Sequence, residues 1–136
     1  MTAKRRCILS VLCAAGLGLA LWPVRVAPPD EPPAIGRVQR VTDGAVREDI
    51  TAQLDRERLA AQLAACKRSR LPFYQTGYTL DTVRYEIDAL CDERPLHLVL
   101  GEGSFVYESA PWNYRLRDAQ PLIAALDAAM ATKEKD

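Results

Sequence analysis

Lys4, Arg5 and Arg6 stand directly before an uncharged apolar run from Cys7 to Val24, closed by Pro23 and Arg25. The 18 residues of this run exceed the roughly 7–15 of a cleaved signal core and just reach the roughly 17–25 that a spanning helix needs. Cleavage after Ala27 puts Arg25 in the third-last position, which suits a signal peptidase poorly; cleavage after Ala20, with Gly18 there, is tolerable. Trp22 suits an interfacial aromatic anchor. Residues 1–25 are therefore expected to form a membrane-targeting helix, a signal anchor with the bilayer as partner of residues 7–24; a cleaved signal peptide is the alternative. Lipidation of Cys13 does not fit, because Leu12 and Ser10 break the small-residue pattern. The basic flank predicts a cytoplasmic N-terminus and a single pass through a bacterial inner membrane, with the rest of the chain periplasmic. Cleavage would instead release it into the periplasm.

Downstream of Arg25 the chain carries 14 Lys plus Arg against 18 Asp plus Glu, although the whole chain is neutral. That acidic excess gives no electrostatic reason to bind nucleic acid. Asn113 is the only asparagine and is not followed by an x-Ser/Thr pair, so no N-glycosylation site exists. Arg outnumbers Lys 14 to 4 and Ala reaches 20 residues, a bias of the kind a GC-rich genome produces. A bacterial envelope protein is the simplest reading.

Residues 26–36 hold the Pro-rich stretch Ala27–Ala34, whose composition favours an extended spacer over a ligand for an aromatic groove. Residues 37–136 are enough for one compact domain. Within it, Cys66 and Cys91 form an even pair, which reads as one structural disulfide in an oxidising compartment. Basic Lys67, Arg68 and Arg70 beside the first and acidic Asp88, Asp92 and Glu93 beside the second favour the pairing. Closing the 24 intervening residues is worth roughly 3–4 kcal/mol in the chain-entropy description.

The composition of Gly44 to Ser69 predicts a helix capped by Asp43 or Thr42. Its apolar stripe shifts between Val46, Ile50, Leu54 and Leu59, Leu63, Cys66, so the helix breaks near Asp55 or its halves pack on different surfaces. Eight of nine aromatic residues lie between Phe73 and Tyr114, which marks the sheet. Thr82 to Ala89 alternates as a half-buried strand, with a competing helical stripe through Leu80, Val83, Ile87, Leu90 and Cys91. Asp92 to Pro95 reads as a turn, and Leu96–Leu100 and Ser104–Ser109 as a hairpin around Gly101 and Gly103, where positive φ is expected. Asp118 to Ala131 predicts a closing amphipathic helix with Asp118 as N-cap, and the last residues fray. The expected fold is α+β: a helix, an antiparallel sheet of three to four strands and a C-terminal helix, stapled by one disulfide.

Residues suited to chemistry are few. His97 is the only histidine; it should face away from Leu96, Leu98 and Leu100 as a surface strand residue, and it lacks metal-ligand spacing toward Glu93 or Glu102. Gly101-Glu102-Gly103-Ser104 misses the third glycine and the following helix of a phosphate loop. Glu102 and Glu108 read as solvated. Neither a cofactor nor a metal site is indicated. The segment Ala110-Pro111-Trp112-Asn113-Tyr114-Arg115 carries the residue types of binding hot spots, so Trp112, Tyr114 and Arg115 are the candidate partner-binding residues, with core packing as the alternative for Trp112 and Tyr114. The expected function is a non-catalytic, membrane-anchored extracytoplasmic interaction domain, a subunit or assembly factor of an envelope complex. A periplasmic inhibitor or immunity protein is the alternative, and a small hydrolase using His97 with Glu102 comes last.

Overall fold

The computed structural model describes residues 3–75, 77–109 and 112–133. Among these residues three α-helices, α1 (Ala3–Leu21), α2 (Arg56–Ala65) and α3 (Gln120–Lys133), accompany nine strands. The strands are β1 (Val24–Arg25), β2 (Ala34–Thr42), β3 (Val46–Asp49), β4 (Lys67–Arg68), β5 (Phe73–Tyr74), β6 (Val83–Cys91), β7 (Arg94–Gly101), β8 (Phe105–Ser109) and β9 (Trp112–Arg117). They form one antiparallel sheet in the order β1-β4-β9-β8-β7-β6-β2-β3, with β5 paired to β9. The α+β class therefore stands, but the sheet is more than twice the expected size. Three of its strands are two residues long, too short to show any period in the sequence.

The helix expected over Gly44–Ser69 is confined to Arg56–Ala65, behind Asp55, whose side chain accepts a hydrogen bond from the Arg58 amide at 3.0 Å. Its first half is a hairpin. Asp43 and Gly44 both take positive φ, 54° and 66°, the pattern of a type I′ turn that folds β3 onto β2. Asp49 then accepts from the amide and hydroxyl of Thr51 at 3.0 and 2.6 Å, bending the chain out of the strand. Asp118 also has positive φ, 55°, and lies two residues ahead of α3, so it reverses the chain instead of capping the helix.

The chain at residues 83–91 is a strand. Asp92 and Glu93, φ 50° and 61°, make a two-residue loop that pairs Cys91 with Arg94. Gly44 is the one positive-φ glycine among the described residues, so Gly101 is needed for another reason. A Cβ there would lie 1.9 Å from the carbonyl oxygen of Thr82; the residue permits close backbone approach at the irregularity between Val83 and Tyr85.

Both α2 and α3 cover one face of the sheet. Leu59, Leu63, Leu122, Ile123 and Leu126 are buried there against Val38, Tyr85, Ile87, Leu98, Leu100 and Val106. The Asp127 carboxylate of α3 accepts from Arg84 at 2.7 Å and from the Tyr85 hydroxyl at 2.6 Å, which ties helix to strand. Burial, reinforced by the hydrogen bond to Asp127 and its charge, pushes the Tyr85 phenol up to about 12. A smaller cluster, Val41, Val83, Val99 and Phe105 with Phe73, Tyr78 and Leu80, occupies the opposite face.

Two further sequence expectations are overturned. Among the described residues no helix is long and apolar enough to cross a membrane, so the single-pass anchor in the inner membrane is not supported. Pro23 stops α1, and Val24 turns into β1. Of the uncharged run only Cys7–Leu21 is helical, about 22 Å at 1.5 Å per residue against a hydrocarbon core of roughly 30 Å. Nor does the disulfide form: Cys66 and Cys91 are free thiols, both buried. They belong to the same core but not to neighbouring strands, since β9, β8 and β7 intervene between β4 and β6. Each packs as a small apolar side chain. Burial, with the nearby charge of Asp118, pushes the Cys66 thiol up.

The Pro-rich segment is folded against the domain. Val26 and Ala27 are buried in the main core, the Val26 amide donates to the Cys66 carbonyl at 3.0 Å, and Pro33 is fully buried.

Candidate functional site

The pairing fixed by the Asp92-Glu93 loop sets His97 directly opposite Asp88 and Val99 opposite Glu86. His97 lies on the face away from Leu96, Leu98 and Leu100, as alternation requires, but it is half-buried and engaged at both nitrogens. Its Nδ1 meets the Asp88 carboxylate at 2.6 Å and its Nε2 meets the Tyr78 hydroxyl at 2.9 Å. The Tyr78 hydroxyl also makes a short hydrogen bond to Glu86. Arg47, reaching across from β3, closes the chain on Glu86 with contacts of 2.6 and 3.3 Å.

Glu86 is 2% exposed. Burial alone would raise its carboxyl, but the hydrogen bonds from Arg47 and Tyr78 and the positive charge of Arg47 outweigh burial and hold it below the ordinary value of 4.5. Burial, then the hydrogen bond to Glu86 and its negative charge, pushes the Tyr78 phenol well up. Arg47, Glu86, Tyr78, His97 and Asp88 thus form one chain of polar contacts, in which both ring nitrogens of His97 meet protein groups.

Tyr78 is also a wall of a cleft of about 530 Å³ between the β6–β7 sheet face and the chain at residues 73–75 and 77–82. His97 does not line it. Among the described residues no group of three or more His, Cys, Asp or Glu is placed to hold a metal. No protein-family model, curated protein or solved structure matches this chain.

The three candidate partner-binding residues are separated by the strand that carries them. Alternation along β9 sends Trp112 and Tyr114 to one face and Arg115 to the other. Trp112 is 49% exposed and stands edge-on to Tyr74, its cross-strand partner in β5, with ring centroids 6.0 Å apart. Tyr114 is half-buried beneath the Arg68 guanidinium, 3.8 Å from its ring centroid. Arg115 lies over Phe73 at 5.0 Å and lines the cleft. Ala110 and Pro111 lie outside the described residues, and so does the side chain of Glu108. Glu102 is exposed on the β7–β8 turn.

Sequence reasoning missed Tyr74, Tyr78, Arg47, Glu86 and Asp88. The Asp88–His97 pair was recoverable: a two-residue loop at Asp92-Glu93 dictates that pairing. Arg47 and Tyr78 left no such signal, since they reach Glu86 from elements 39 and 8 residues away in sequence.

Proposed function

We propose that this domain is a non-catalytic protein-interaction module whose contact surface centres on Tyr74 and Trp112. The observation that carries the reading is the exposed edge-to-face pair these residues make where β5 meets β9. Tyr74 is 67% exposed, and Leu71, just ahead of β5, is exposed as well. Large aromatic side chains on a rigid strand supply contact area at little entropic cost, and they dominate binding hot spots. Among the described residues β5 pairs with β9 alone, so its outer edge offers unpaired backbone groups beside the rings. The non-catalytic half of the proposal draws support from His97, whose ring nitrogens are both taken up internally by Asp88 and Tyr78.

The test is photo-crosslinking from position 71, exposed just ahead of β5, in intact cells, followed by mass spectrometry. One protein should be captured in stoichiometric yield, and Trp112→Ala and Tyr74→Ala should each abolish capture. Because both side chains are largely exposed, their melting temperatures should fall by no more than about 5 °C. Retained capture in both variants, or a collapse of folding in Trp112→Ala, would sink the proposal.

A further inference from the structure

The cleft on the opposite side of the β5–β9 pair has a composition of its own. Phe73, Phe105 and Tyr78 form its aromatic wall, with Phe105 edge-on to both neighbours at 6.1 and 5.4 Å between centroids. Val83 and Val99 are buried beside them. Glycines at 77, 101 and 103 leave the rim without side chains. At Gly77 and Gly103 an added Cβ would meet no atom within 4 Å, so this space is open. Among the described residues a single formal charge stands in the lining, the Arg115 guanidinium. It lies over Phe73, 5.0 Å from the ring centroid, and among the described residues it forms no ion pair. Tyr78 cannot answer a ligand with its hydroxyl, which is spent on Glu86 and His97.

We propose that this cleft binds a small monocarboxylate with an aromatic or branched apolar body. The carboxylate would sit on Arg115 in bidentate fashion, and the body would lie against Phe73, Phe105, Val83 and Val99. The volume of about 530 Å³ falls within the roughly 300–1,000 Å³ of small-molecule sites. One planar guanidinium with no second cation matches one planar carboxylate better than a dianionic phosphate. The site is independent of the Tyr74–Trp112 surface, because Phe73 and Arg115 alternate to the face opposite those two residues.

The experiment is a titration of the isotope-labelled full chain with phenylacetate and with its neutral isostere phenylacetamide, followed by amide NMR. Saturable shifts should appear at the Gly77, Gly101 and Gly103 amides, with the acid binding at millimolar concentration or below and the amide about tenfold or more weaker. Arg115→Gln should reduce the acid to the affinity of the amide, and Arg115→Lys should fall between. Partner capture through Trp112 should survive in Arg115→Gln, which separates failure of this site from failure of the interaction surface. The comparison of acid with amide on the unaltered chain needs no variant to fold. Equal affinities, shifts confined to residues away from the cleft, or no saturation at tens of millimolar would each overturn the assignment.

Discussion

Replacing Arg47 by alanine strips its cation from Glu86, which is 2% exposed in the native chain, and leaves the Tyr78 hydroxyl and, beyond it, His97 as the remaining neighbours. Breaking one side of a fully buried ion pair costs about 3–5 kcal/mol. Arg47 itself is 45% exposed, so water can enter where the guanidinium stood, and the expected loss drops to about 2–3 kcal/mol. In a domain of this size that corresponds to about 8–12 °C in melting temperature. The pH dependence has a definite sign. In the native chain the Glu86 carboxyl lies below its ordinary 4.5, so its contribution is fully present above that value and is lost as pH falls through the lower folded value. In Arg47→Ala burial is no longer outweighed and the carboxyl rises, so acid favours the folded variant. Urea unfolding followed by circular dichroism at pH 7 and pH 4 should therefore show a gap between the two chains that narrows in acid. A gap below about 0.5 kcal/mol at pH 7, or one that does not change with pH, refutes the account of Glu86 as a buried, Arg47-compensated carboxylate.

Three further outcomes are expected. Gly101→Ala should cost about 3 kcal/mol or more in the same unfolding assay, because its Cβ would meet the Thr82 carbonyl oxygen at 1.9 Å; a near-neutral result would show that the β6 irregularity yields. Cys66 and Cys91 should both alkylate in denaturant without reductant, and dithiothreitol should leave melting unchanged; labelling that appears only after reduction would restore the disulfide. Removing residues 1–22 should leave the melting temperature within about 2 °C, since the large apolar side chains of α1 from Ile8 to Leu21 are more than half exposed; unfolding of the shortened chain would mean that α1 contributes to the core.

Much of the helix-facing core could be read from the chain. Val83, Tyr85, Ile87 and Ala89 alternate, as do Leu96, Leu98 and Leu100, and all but Val83 meet α2 and α3 as that pattern requires. Val83 is the exception because the irregularity before Tyr85 moves it to the other face. The hairpin at Asp43-Gly44 was hidden by the good helix formers that follow it, a case of turn chemistry overriding propensity.

Sequence by itself determined the α+β class, the placement of His97 on the face away from Leu96, Leu98 and Leu100, and the aromatic segment at Trp112, because each follows from local periodicity or composition. Tertiary structure alone decided the rest. The two-residue strands β1, β4 and β5 exist only through their partners. Glu86 is tolerated in the interior only because Arg47 and Tyr78 arrive from distant elements. Cys66 and Cys91 enter one core without facing each other on neighbouring strands, and the apolar run stops being helical at Leu21 because Pro23 and the pairing of β1 with β4 take the chain elsewhere. Long-range register carries no signature in any window of sequence, and here it brings Arg47 across β2 to Glu86.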